Sequence, residues 1–127
     1  MALTLETAMR NALADEIDNQ INSGTAPELV FETSGDVEVA TIILNTTNAF
    51  GAAATGVITM TGQPLSDASA TGGTTVQFSI YINVGQSGKQ LEGTVGTSGT
   101  DIIISSTVIG ATDTVELTTF TITVPAS

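Results

Sequence analysis

Cysteine, histidine and tryptophan are all missing from this chain, and among its 127 residues only Arg10 and Lys89 carry positive charge. Each absence closes off a class of function. Without cysteine there is no disulfide frame and no thiolate zinc site, and cysteine usage names no redox compartment. Folding has to rest on burial alone. Without histidine the chain lacks both the commonest metal ligand and the usual general base near neutral pH, so most hydrolase mechanisms lose a member. Thirteen acidic side chains against two basic ones give a formal net charge of -11, a field that repels phosphate backbones and anionic membrane surfaces. Neither nucleic acid nor membrane is an expected partner. No run of about 18 apolar residues is present. The amino terminus also lacks the basic-then-apolar layout of a secretory signal, because Glu6 and Arg10 interrupt it and Asp15 and Glu16 follow. A soluble product made without an export signal of that type is expected.

The length suits one domain with a real core, since domains commonly run to about 100–150 residues. Aromatics are few, one Tyr and four Phe, so the core is expected to be packed mainly by Val, Ile and Leu. Residues 1–24 read as an amphipathic helical unit. Leu5, Met9, Leu13, Ile17 and Ile21 recur every fourth position, with Ala8 and Ala12 widening the stripe, which predicts a helix over residues 3–22. Thr4 is placed as N-cap, Glu6 in the first turn, and Asn22-Ser23-Gly24 as a left-handed stop.

From residue 25 to 127 the period changes to two. Leu29 and Phe31 alternate with Val30 and Glu32, and Val37, Val39 and Thr41 with Glu38 and Ala40. Ser34-Gly35-Asp36 lies between them as a hairpin turn. The run Ile42-Ile43-Leu44 suits a strand covered on both faces. The segment 45–56 reads as a loop pinned by Phe50. A strand over residues 57–61 follows, and segment 62–73 is a second long loop in which Pro64 and two glycines exclude regular structure. In "TVQFSIYINV", residues 75–84, Val76, Phe78, Ile80, Ile82 and Val84 take one face and Gln77, Ser79, Tyr81 and Asn83 the other. Further strands are expected at 91–95, 102–104 and 115–124, the last with a register change near Thr119. Many short strands with Gly, Ser, Asn and Asp turns, not interleaved with helices, predict a mainly β fold: an antiparallel β-sandwich or barrel-like domain with one N-terminal α-helix.

The stretch "GTVGTSGTDIIISS", residues 93–106, has glycines that invite comparison with a phosphate loop. It lacks the lysine of that motif, and isoleucines follow where a helix would open, so a strand-turn-strand corner is the better reading. Gly96 and Gly99 are expected to relieve backbone strain there, and Asp101 to close the turn. Asp67, Asp101 and Asp113 lie in loops rich in Ser and Thr, but none has the spacing of a calcium loop, and turn aspartates ordinarily cap their own backbone. Asp15, Glu16 and Asp18 are expected on a solvated helix face rather than as an acid-base pair. Ser and Thr abound, yet no residue is placed to activate one as a nucleophile. No catalytic, cofactor-binding or metal-binding residue is assigned, and the chain is read as a non-enzyme.

The wording of "MRNALADEIDNQINSG", "NAFGAAATGV", "GTVGTSGTDIIISST" and "LTTFTITVPAS" resembles small virion structural proteins of tailed bacteriophages and prophages. The resemblance covers nearly the whole chain. It departs at "VQFSIYINVGQSGKQLEGTV", which has neither the tryptophan nor the acidic turn associated with that region. The resemblance implies a capsid decoration (cement) protein, or a neck or tail component, located in a virion assembled in the host cytoplasm. Its implied partners are the major capsid protein or other virion proteins, and copies of itself as a homo-oligomer. The alternative from another class is a carbohydrate- or receptor-binding β-module using loops 45–56 and 62–73, with Tyr81 as the one polar-tipped ring for a sugar. Candidate interface residues are Leu5, Met9, Leu13, Ile17, Ile21, Phe50 and Leu65. The helical stripe has two readings, packing on its own domain or docking a partner.

Overall fold

The computed structural model describes residues 3–127. A single helix, α1 at Thr7–Ile21, precedes eleven short strands. They are β1 Glu28–Glu32, β2 Glu38–Ile43, β3 Val57–Thr59, β4 Leu65–Asp67, β5 Gly73–Thr74, β6 Gln77–Asn83, β7 Ser87–Gly96, β8 Ile102–Ile103, β9 Val108–Ile109, β10 Val115–Leu117 and β11 Thr121–Thr123. The fold is mainly β, with a main sheet curled into a half-barrel. That sheet runs β2-β1-β6-β7-β8, and three strand pairs, β10-β4, β11-β3 and β5-β9, stand outside it.

The β1-β2 hairpin forms where the alternation and the Ser34-Gly35-Asp36 turn place it. Asp36 adopts a left-handed φ of 61°, which Asp tolerates, and the Thr33 hydroxyl accepts from the N–H groups of Gly35 and Val37. One face of the hairpin carries Leu29, Phe31, Ala40 and Ile42, continued on β6 by Phe78 and Ile80. These side chains share one core cluster with Phe50, Ile58, Met60, Leu117 and Phe120 and with Ala14 and Ile21 of α1. Phe120 sits between two rings, 6.1 Å from Phe50 and 5.4 Å edge-on to Phe78. Fully burying one such side chain contributes about 1.5–3 kcal/mol, so this cluster is the main source of stability.

Several expectations change. The helix begins at Thr7, with Glu6 rather than Thr4 at the cap and no side-chain capping bond. The Leu5 N–H instead donates to the Ala126 carbonyl at 2.6 Å, which holds the lead-in extended against the carboxyl-terminal tail. Gly24 is not a left-handed stop: a Cβ there would overlap the Ile82 carbonyl, so this glycine permits a close backbone approach. Segment 62–73 is not one irregular loop but contains β4, fastened to β2 where the Thr41 N–H donates to Asp67 at 2.9 Å. Ile43 is exposed, whereas Ile42 and Leu44 are buried, so ordinary alternation persists to the end of β2. The long last strand is broken at residues 118–120: β10 pairs with β4 and β11 with β3, which is the register change expected near Thr119.

Not every pairing is antiparallel. β8 runs parallel to β7, Val95 opposite Ile102 and Gly96 opposite Ile103. The cause is Asp101, whose carboxylate accepts from both the Thr94 N–H (2.9 Å) and the Thr94 hydroxyl (3.0 Å) and draws the chain back alongside β7. Asp101 therefore closes the corner as expected. Gly99 takes a φ of 67°; Gly96 does not, and is small because a Cβ would lie 2.9 Å from the Thr100 methyl.

The second face of β6 is not solvated as its alternation predicts. Ser79 and Tyr81 are buried, and both donate to the buried Glu32 carboxylate, each at 2.6 Å. A polar roof explains this. Gln86 donates from its backbone to Glu28 at 3.1 Å and from its amide to Glu38 at 2.7 Å, and the Lys89 ammonium lies 5.8 Å from the centre of the Tyr81 ring.

Candidate functional site

The helix meets the rest of the chain through two different faces. At 3.6 residues per turn, Asn11, Asp15, Asp18 and Asn22 fall within about 60° of one another. Each accepts a backbone N–H from the segment beside it: Asn11 from Gly56 (2.7 Å), Asp15 from Ala53 (2.8 Å), Asp18 from Phe50 (3.0 Å) and Asn22 from Ala49 (2.8 Å). The segment read as an irregular loop is thus bonded to the helix along its length, the two running antiparallel. Asp15 and Glu16 remain exposed, as expected of a solvated face, whereas Asp18 is half-buried at this seam. Burial pushes the Asp18 carboxyl above its ordinary value, against the opposing pull of the Phe50 N–H, and the Asp15 charge adds to the rise. Arg10 completes the seam from the same side, donating from Nε to the Val124 carbonyl and from Nη2 to the Thr55 carbonyl, both at 2.9 Å.

The apolar residues behave differently from one another because an every-fourth-residue row drifts by about 40° per step around the helix. Ile21 lies in the core and Ile17 packs against it, Leu5 is half-buried, and Met9 and Leu13 are exposed at 53% and 43%. The helix therefore packs on its own domain and still leaves part of its stripe uncovered. Of the other candidate interface residues, Phe50 is fully buried, which removes it as a contact for a partner, and Leu65 is half-buried against the core on β4.

Beside the uncovered residues runs a groove of about 450 Å³ between α1 and β7, lined by Leu13, Ile17 and Ile21 on one wall and Leu91 and Val124 on the other, with Glu16, Gln20 and Gln90 at its rim. The Gln20 and Asn19 amides hold the Glu16 carboxyl below the usual carboxylate range. Leu91 also lines a second hollow of about 260 Å³ against Phe78, Phe120 and Ile122, rimmed by Glu92 and Asp101. Asp101 is held below the ordinary range by the Thr94 N–H and hydroxyl. The nearby bases are already engaged: Lys89 is 2.8 Å from Glu92 and 3.9 Å from Asp36, and Arg10 donates to the Val124 carbonyl at the groove wall. The site that results is an apolar floor with a negative rim.

Elsewhere the polar side chains have structural occupations. Asp67 caps the Ser69 N–H as well as Thr41, and Asp113 caps Gly110 at 2.8 Å, so the turn aspartates bond their own backbone. Among the described residues no three acidic side chains converge as a metal cluster would require. Another hollow, of about 380 Å³ between residues 103–109 and 113–116, holds Asp113 and Glu116 and no basic or nucleophilic partner for them beyond serine and threonine hydroxyls. Tyr81, the ring a sugar site would use, is 6% exposed and bonded to Glu32, so it cannot stack on a sugar face. No protein-family model, no curated protein and no solved structure matches the chain.

Proposed function

We propose that this protein is a non-enzymatic structural component of a tailed-phage virion, a capsid decoration (cement) protein that docks on the shell through the groove between α1 and β7. The observation that carries the docking is the uncovered apolar row, Met9 and Leu13 beside the Leu13-Ile17-Leu91-Val124 groove; Val37, Ile43, Val76 and Val84 are exposed too but border no hollow among the described residues, and Ile103 and Val108 share theirs with Asp113 and Glu116. Apolar surface of this kind beside a polar rim is what a protein interface requires. The virion assignment comes from the resemblance carried by the opening helix and by residues 48–57, 93–107 and 117–127. A decoration role asks for no active site and gains from many copies, because weak contacts repeated over a shell add through effective concentration. The partners are the major capsid protein and further copies of this chain, and the location is the virion.

The test mixes purified protein with undecorated capsids. Saturable binding that raises the temperature at which the shells disrupt is expected, and Leu13→Lys should abolish it while leaving the fold intact, since Leu13 is largely outside the core. Absence of saturable binding removes the decoration role.

A further inference from the structure

The main sheet ends in an open seam. β7 pairs with β6 along one side, but on the other β8 covers only Val95 and Gly96. β11 pairs with β3 and has no second neighbour among the described residues. Both open edges line the same hollow, residues 91–93 on one wall and Thr121, Ile122 and Thr123 on the other. The backbone direction follows from alternation. The Thr94 N–H turns outward to Asp101 and the Gly96 carbonyl outward to the Ile104 N–H, so Glu92, between Leu91 and Gly93, turns its N–H and carbonyl outward as well. On β11 the Phe120 carbonyl and the Val124 N–H face the β3 side, bonded to Met60 and Gly56, which turns Thr121 and Thr123 toward the seam. Glu92, Thr121 and Thr123 have no backbone partner there among the described residues. A strand edge left open is a template for another strand unless it is covered or blunted. Here the register shift that skips Gln90 divides β7 in two, and the stretch from Leu91 onward is the part that borders the apolar floor.

We propose that this seam receives an extended segment of a basic protein, which adds as a strand between β7 and β11 and places an apolar side chain against Leu91, Ile17 and Val124. Free backbone groups on both walls favour a strand over a helix, as in other cases of strand addition. Charge selects the partner. The rim carries Glu16, Glu92 and Asp101, Lys89 is already paired to Glu92 and Asp36, Arg10 is taken up by the Val124 and Thr55 carbonyls, and the chain as a whole carries -11. A second copy would bring the same charge against itself, whereas lysines or arginines flanking an apolar residue complement the rim. The strand mode rests on the docking face proposed above and not on the capsid as its owner.

The experiment uses the full chain, isotopically labelled, and a synthetic peptide alternating valine and lysine, with a valine-glutamate peptide as control. The lysine peptide is expected to bind saturably and to slow amide exchange at Glu92, Thr121 and Thr123 by about tenfold or more, which corresponds to at least about 1.4 kcal/mol of protection. The glutamate peptide should leave those amides unchanged, and the double variant Glu16→Lys with Glu92→Lys should bind the lysine peptide about tenfold more weakly. Unchanged exchange at all three amides with the lysine peptide overturns the proposal, as does equal protection by the glutamate peptide. Protection that depends on protein concentration without any peptide also overturns it, by giving the seam to a second copy. Peptide binding without capsid binding keeps the seam and removes the capsid; capsid binding without peptide binding removes the strand mode alone.

Discussion

Glu32 ties β1 to β6 through a buried polar layer, its two carboxylate oxygens each accepting one hydroxyl. On alternation it belongs to the solvated side of β1, yet it is fully buried and accepts the hydroxyls of Ser79 and Tyr81. Its partners lie more than forty residues away, and the roof over them comes from Gln86 and Lys89, so no local pattern announces the burial. Glu32→Ala leaves two buried hydroxyls without an acceptor and should cost about 3 kcal/mol, read from urea unfolding, while Glu32→Gln keeps an acceptor and should cost less. Tyr81 gives the matching pH prediction. Burial first, and then the Glu32 carboxylate, push its hydroxyl above the ordinary value. The folded protein then holds that proton more tightly than the unfolded chain, in which a tyrosine titrates near about 10. Its contribution to stability is whole below that pH and falls as pH climbs through the folded value. Tyr81→Phe should flatten this alkaline loss in unfolding curves taken on either side of pH 10; an unchanged loss would place its cause elsewhere.

At the scale of the element, α1 shows what periodicity can and cannot deliver. The spacing of Leu5, Met9, Leu13, Ile17 and Ile21 correctly announces a helix ending at Asn22, but such a row winds around the cylinder, and only its carboxyl-terminal half reaches the core. Truncating opposite ends should therefore differ sharply: Ile21→Ala should cost about 3 kcal/mol and Met9→Ala less than about 0.5 kcal/mol in equilibrium unfolding. The bonding row of Asn11, Asp15, Asp18 and Asn22 leaves no mark in the pattern, where Asp15 and Asp18 look like any solvated face, because its partners are bare backbone N–H groups of a distant segment. Asn11→Ala removes the acceptor for the part-buried Gly56 N–H and should cost about 1–2 kcal/mol, with the largest rise in amide exchange at Gly56. The strands are legible where side chains alternate between core and solvent, as in β11, where Ile122 packs on the core between exposed Thr121 and Thr123; in β2 the expected face is not kept, since Val37 is exposed and Val39 and Ala40 are both buried. Nor are strands legible where a carboxylate rather than a turn signal redirects the chain, as Asp101 does between β7 and β8.

Across the whole molecule, excess negative charge opposes folding. Thirteen acids face two bases, and Arg10 bonds carbonyls rather than carboxylates, so self-repulsion is only weakly offset. Added salt should raise the melting temperature of the isolated protein by screening this repulsion, and a melting temperature that falls from low to moderate salt would contradict it. Under the docking proposed above, the same excess favours basic partners over nucleic acid. The mainly β architecture was readable from composition and turn spacing; the groove was not, because it needs α1, β7 and the carboxyl-terminal tail brought together in space. The most direct measurement is to image intact particles of a phage that encodes this chain, at a resolution that traces its backbone. Many symmetric copies on the outer shell, each with the α1-β7 groove turned to the capsid and the β7-β11 seam filled by a capsid segment, are expected. Particles that lack the protein, or that carry it with the groove open to solvent, would contradict the account.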